Sequence, residues 1–222
     1  MPGRRSATNR PAVGLDLAGS PHRDTGFCRL GPGLRTATRI LGDDAEILDA
    51  VRDARPSIVA IDAPLSLPRG RRSLDVPGPP HLRACDRALL ELGIRFFPVT
   101  LGPMRLLTRR GIDLGARLRA EPLPVIEAYP GGAQDVLGLP RKGAGVERLR
   151  RSTVRFGFSG SVEHRAIGHD ELDAVMCAYT GREHLAGRSL VLGDPDEGTL
   201  VLPRPLRPRP TRPRDRPSGR GA

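Results

Sequence analysis

Five carboxylates stand out by position: Asp16, Asp62, Glu127, Asp170 and Asp173. Asp16 lies inside the apolar run Val13-Gly14-Leu15-Asp16-Leu17-Ala18, which closes on Gly19-Ser20. A charge inside a first, central strand is costly unless something pairs with it. Three later stretches offer company: Ile61-Asp62-Ala63-Pro64, Val125-Ile126-Glu127-Ala128-Tyr129-Pro130, and His169-Asp170-Glu171-Leu172-Asp173-Ala174. Each places an acid at a strand end or in a first helical turn. An all-oxygen set of this kind suits Mg²⁺ or Mn²⁺ rather than zinc. Two such ions ~4 Å apart can activate a water and stabilise the leaving oxygen in phosphodiester hydrolysis. Bound metal would also relieve the repulsion among so many carboxylates.

Each acid also has a local use. Asp62, two residues before Pro64, fits an Asx turn. Asp170 fits the favourable field of a helix N-terminus, and Glu127 has many arginines to pair with. Asp173 is harder to explain locally. It shares a helix face with Asp170, and on that face Cys177 and Thr180 are small enough for close packing on a sheet. His169 and His164 are weaker candidates for proton transfer or carboxylate orientation. Asp86, in Cys85-Asp86-Arg87, offers a salt bridge or help to the site. Lys142, the only lysine among 36 basic residues, could meet phosphates together with Arg69, Arg71 and Arg72.

The elements that must position these groups follow from hydrophobic periodicity and turn residues. Ala12–Ala18, Thr25–Leu30 and Leu34–Leu41 read as strands with short Gly/Pro turns between them, hence an antiparallel meander. Asp43 or Asp44 caps a helix to about Arg55, with Ile47, Leu48 and Val51 at helical spacing. Ser57–Ile61 is nearly all apolar, as parallel central strands are. The crossover places it parallel to strand one, bringing Asp62 near Asp16. A long loop, Leu65–Pro80, precedes helices predicted over His81–Leu92 and Pro103–Ala120. The second is predicted to break at Gly111 and to expose Arg105, Arg109, Arg110, Arg117 and Arg119. Residues 65–121 thus read as a helical insertion able to close over a site. Leu123–Tyr129 is a strand stopped by Pro130-Gly131-Gly132. Helices follow at Ala133–Leu137, Val146–Phe156 and His169–Leu185, then a short hairpin of Ser189–Leu192 with Thr199–Leu202.

Composition bounds the rest. The 222 residues suit one domain, 11–202, between disordered tails at 1–10 and 203–222, the latter rich in Arg and Pro. The formal charge is +11, of which residues 203–222 carry +6 and residues 1–10 carry +3, leaving +2 for the body. The basicity therefore belongs to the tails, which would attract polyanions without sequence preference. Three widely spaced cysteines form no zinc or disulfide pattern. No apolar run is long enough to span a bilayer, so the expectation is a cytoplasmic protein without a membrane partner.

The motifs Gly14-Leu15-Asp16-Leu17-Ala18-Gly19-Ser20, Ala60-Ile61-Asp62-Ala63-Pro64-Leu65-Ser66-Leu67-Pro68, Cys85-Asp86-Arg87, Ile126-Glu127-Ala128-Tyr129-Pro130 and His169-Asp170-Glu171-Leu172-Asp173-Ala174 occur in this order. In that combination the chain resembles the domain of unknown function 429 family, over Val13 to Pro203. The resemblance implies an α/β, ribonuclease H-like fold, a mixed five-stranded sheet flanked by helices, and a predicted nuclease. It matches Asp16, Asp62, Glu127, Asp170 and Asp173 to the family's acidic positions, as catalytic groups and as ligands of Mg²⁺ or Mn²⁺. The expected function is metal-dependent hydrolysis of nucleic acid. Two alternatives are a non-catalytic nucleic-acid-binding protein working through its tails, and a nucleotide-dependent phosphotransferase of the same fold class. The second would need two glycine-rich phosphate loops, and the chain has one.

Overall fold

Strand one, β1 (Ala12–Asp16), is flanked by an antiparallel partner on one side and a parallel one on the other. The computed structural model describes residues 10–164 and 166–205. β2 (Thr25–Leu30) and β3 (Arg35–Leu41) complete the expected meander. Asp43 then accepts from the Glu46 amide at 2.9 Å and caps α1 (Asp44–Ala54), one of the orphan donors that every helix start must satisfy. The chain returns as β4 (Ile58–Asp62), parallel to β1, with Asp16 and Asp62 at the same level.

Two helices follow. α2 (Ala84–Glu91) starts three residues later than periodicity predicts, because Arg83 is extended and its amide donates to Asp86 Oδ2. α3 (Gly102–Arg119) runs unbroken through Gly111. The glycine serves close packing there, since a Cβ would lie 2.7 Å from the Pro64 carbonyl oxygen. Arg110 is not exposed as expected. It is buried, donating to Asp44 and to the carbonyls of Ala18 and Ser20.

β5 (Val125–Ala128) adds parallel to β4. Pro130 opens α4 (Pro130–Leu137) rather than merely stopping the strand, since proline is pre-shaped for a first helical position. α5 (Val146–Phe156), a two-residue β6 (Ser159–Gly160) and a short α6 (Ser161–His164) lead to α7 (His169–Leu185). The last hairpin is β7 (Ser189–Asp194) and β8 (Gly198–Pro203).

All eight strands form one mixed sheet in the order β6-β3-β2-β1-β4-β5-β8-β7. The five-strand count is thus too low. β8 pairs parallel with β5, which brings in the hairpin, and β6 extends the other edge beside β3. The expected tails lie outside the described residues, except Arg10 and residues 203–205, with Pro203 ending β8. Among the described residues no helix is long and apolar enough to cross a membrane.

The two faces of the sheet carry separate cores. On one, Val13, Leu15, Val59 and Ile61 pack with Ile47 and Val51 of α1 and Leu114 and Leu118 of α3. On the other lies α7, buried along nearly its whole length. α2 instead shares a third core, Cys85 and Leu89 meeting Leu200 and Leu202 of the terminal hairpin.

Contact between α7 and the sheet is unusually close. A Cβ at Gly14 would lie 2.1 Å from the Ala174 carbonyl oxygen, and one at Gly26 would lie 2.0 Å from that of Asp170. Both obstacles are helix backbone, so no side-chain rotation relieves them. Gly14→Ala is therefore expected to cost about 3 kcal/mol or more, read as a lower denaturation midpoint. The control Gly31→Ala, whose nearest neighbour would be 3.7 Å away, should stay within about 0.5 kcal/mol.

Candidate functional site

Strand alternation decides which side chains meet. Gly14 faces α7, so Asp16, two residues on, faces it too. Ala60 packs against Gly181 of α7, which puts Asp62 on the same side. The two acids are level on adjacent parallel strands, whose spacing is about 4.8 Å, close enough for the charge of Asp62 to act on Asp16. From the opposite side α7 delivers Asp173, only 3% exposed. Its Oδ1 accepts from Gln134 Nε2 of α4 at 2.8 Å, and its Oδ2 lies 3.4 Å from Lys142 Nζ. Asp170, exposed in the first turn of α7, is within electrostatic reach of Asp16. His169 Nδ1 is buried without a hydrogen-bond partner, and its ring is near enough to influence Asp173.

Protonation records the crowding. Burial first, then the negative charges of Asp62 and Asp173, pushes the Asp16 carboxyl well above its ordinary range. Burial and Asp173 push Asp62 to about 7. Asp173 is raised by burial despite the opposing pull of Lys142 and Gln134. Burial alone would lower the Lys142 ammonium, but Asp173, Asp16 and Asp62 together hold it above its usual value. One lysine thus faces three converging acids, whose combined negative charge it does not balance. Lys142, for which the sequence alone favours a solvated charge over a phosphate contact, is here a counter-ion to carboxylates.

Glu127 takes a different position. It is level with Ile61, one residue short of Asp62, and so starts from the opposite face of the sheet. Its neighbours in β5, Ile126 and Ala128, pack instead with Ala60 and Cys177 on the α7 side. Both Glu127 oxygens are taken by the Arg83 guanidinium at 2.7 Å, and Oε2 also accepts from the Leu65 amide at 2.8 Å. Arg83, 2% exposed, binds Asp86 as well, at 2.9 Å and 3.2 Å. Burial alone would lower this guanidinium's pKa, but Glu127 and Asp86 hold it well above the ordinary value. Asp86 therefore has the salt-bridge role among the two open to it. A buried bidentate network of this kind is a strong geometric clamp, joining β5, the start of α2 and the loop after Pro64.

A cavity of about 420 Å³ opens onto the cluster. Asp16, Asp62, Asp170 and Lys142 line one part of it, and Phe97 and Tyr129 another. Met104 and Leu107 of α3 and Leu89 of α2 contribute to its wall. Two of the loop arginines are engaged elsewhere. Arg69 pairs with Asp194, and Arg71 donates to carbonyls of its own loop.

Among the described residues, no group of three or more His, Cys, Asp or Glu side chains is arranged to hold a metal ion as it stands. The chemistry of the donors nonetheless fits a hard cation. Asp16, Asp62 and Asp173 offer oxygen alone, with mutual repulsion that a cation would remove. Glu127 does not fit, because its oxygens are already committed. Two contributors escaped sequence reasoning. Arg83 is one basic residue among 36, and Gln134 follows the small residues Gly131, Gly132 and Ala133; only the fold shows what either touches.

The fold and site together define a mixed α/β protein with a cavity built on aspartates from β1, β4 and α7. The chain belongs to the family described as Protein of unknown function (DUF429), whose model matches residues 14–198. Searches of curated proteins and of solved structures return no match.

The two classes of buried acid are expected to respond oppositely to neutralisation. Carboxyls with raised native pKa keep protons that the unfolded chain has already lost, so stability falls as pH rises from the ordinary carboxylate range through about 7. Without divalent cations, the protein should melt at a higher temperature near pH 5 than near pH 8. Asp62→Asn should raise the pH 8 melting temperature and flatten this dependence. Glu127→Gln, which strips Arg83 of one buried partner, should instead cost about 3 kcal/mol. Thermal melts of the three proteins across pH check both signs.

Proposed function

We propose that this protein is a divalent-metal-dependent hydrolase of nucleic-acid phosphodiester bonds with a ribonuclease H-like active site. The observation that carries the reading is the convergence of Asp16, Asp62 and Asp173 beneath one cavity, at a cost in charge repulsion that the protein alone does not offset. Stable folds avoid unpaired buried carboxylates, and retained ones concentrate at functional sites.

In this reading Asp16, Asp62 and Asp173 hold Mg²⁺ or Mn²⁺, with Asp170 at the open side. A bound ion of this type lowers the pKa of water and takes up charge on the leaving oxygen. Gln134 fixes the orientation of Asp173 through its amide. Lys142, exposed beside Asp173, would exchange its carboxylate contact for a substrate phosphate oxygen. Glu127 acts at one remove: with Arg83 it anchors the Leu65 amide and so the turn that follows Asp62.

Hydrolysis of single-stranded, duplex, hybrid and branched oligonucleotides with Mn²⁺ or Mg²⁺ tests this. Cleavage is expected to vanish with chelator and to fall more than about 100-fold in Asp16→Asn and Asp173→Asn. Gln134→Ala should fall in the roughly 10- to 100-fold range of residues that orient a ligand. Cleavage that survives both aspartate substitutions contradicts the assignment. It would favour a binding protein whose acids are structural.

A further inference from the structure

The aromatic residues of this chain are few and unevenly placed. There are five Phe and two Tyr, and no Trp. Four lie away from the cavity. Phe27 of β2 is buried in the sheet core, and Phe156, Phe158 and Tyr179 form one ring cluster with centroids 5.4–5.5 Å apart. The other three, Phe96, Phe97 and Tyr129, all line the cavity that opens on the carboxylates, Phe96 and Tyr129 with one side packed on the core shared by α2 and the terminal hairpin. Phe97 is 66% exposed there, a solvation cost that packing does not explain.

This wall is rigid and carries a cation. The Arg141 guanidinium lies over the Tyr129 ring, 5.6 Å from its centroid. The Tyr129 hydroxyl donates to the Arg95 carbonyl at 2.5 Å, and Arg141 Nε donates to Asp135 at 2.8 Å. The next residue, Lys142, reaches Asp173. Consecutive residues therefore tie the aromatic wall to the carboxylate cluster.

Aromatic faces beside arginine recognise bases by stacking, with little regard to sequence, and only a base out of its own stack offers a free face. At about 420 Å³ the cavity is at the small end of ligand pockets, a volume that suits one unpaired nucleotide and does not enclose a duplex. We infer that Phe96, Phe97 and Tyr129, with Arg141, form a stacking subsite for an unpaired nucleobase, so that the substrate is single-stranded nucleic acid. This inference rests on the phosphodiester reading of the adjacent carboxylates.

The basic tails would bind any strand, so the test must hold charge constant while removing the base. Anisotropy titrations of the full chain without divalent metal would compare a short single strand, the same strand with abasic sites, and its duplex. Cleavage of each would be followed separately with Mn²⁺. The intact single strand should bind best. Phe97→Ala should weaken it at least about fivefold, the low end for loss of one stacked base, without changing abasic binding, while Phe97→Trp retains affinity. Because Phe97 is largely exposed, both variants should keep the wild-type melting temperature. Equal binding of intact and abasic strands, or no effect of Phe97→Ala, overturns the subsite even if cleavage occurs. Base-dependent binding with no cleavage of any strand upholds the subsite and overturns the hydrolase reading.

Discussion

Backbone-to-backbone approach between α7 and the sheet is the constraint on which the site depends. Gly14 and Gly26 leave room for the carbonyls of Ala174 and Asp170, so the start of α7 lies directly on β1 and β2. A helix separated by ordinary side chains would sit about 10 Å from the sheet, as packed layers do, and a short aspartate would not bridge that gap. With the glycines, Asp173 reaches the level of Asp16 and Asp62. The same closeness explains why α7 is buried almost throughout and why its inward face carries Ala174, Cys177, Ala178 and Gly181. Packing and chemistry are one arrangement here.

Two kinds of buried charge then share one end of the sheet and are handled oppositely. Around Arg83 every carboxylate oxygen is matched to a donor: both oxygens of Asp86 and both of Glu127 accept from this one residue, and the network locks three segments together. Around Asp16 the balance is left negative, with one exposed lysine beside three carboxyls. A fold that tolerates repulsion in one cluster while satisfying the next so completely keeps the first for something outside the chain. The matched network also supplies the stiffness that the unmatched one needs, because the turn following Asp62 hangs from Glu127 through the Leu65 amide.

Much of this was legible in the sequence, and the failures have physical causes. Apolar runs gave β1, β4 and the meander, and the crossover between β1 and β4 placed Asp62 beside Asp16. The small residues of α7 announced a close-packed helix and with it Asp173. Glu127 shows the limit. Its acid lies near a strand end as Asp62 does, but its face depends on inter-strand register, which shifts by one residue between β4 and β5 and is invisible in one chain. Gly111 misled for a related reason, since a glycine that permits close approach and one that breaks a helix look identical in sequence. Arg83 and Arg110 could not be singled out among so many arginines, as burial and not type distinguishes them. The extra strands were underestimated because β6 has two residues and the β7–β8 hairpin joins the sheet only through β5 and β8.

The central claim, that aspartates from β1, β4 and α7 form one cation centre, is tested most directly by a crystal structure grown with Mn²⁺ and phased on its anomalous signal. An anomalous peak bonded by carboxylate oxygens of Asp16, Asp62 and Asp173 at roughly 2 Å is expected, with Glu127 still held by Arg83. Saturating Mn²⁺ that leaves the three aspartates unligated, or that binds only elsewhere on the chain, would contradict it.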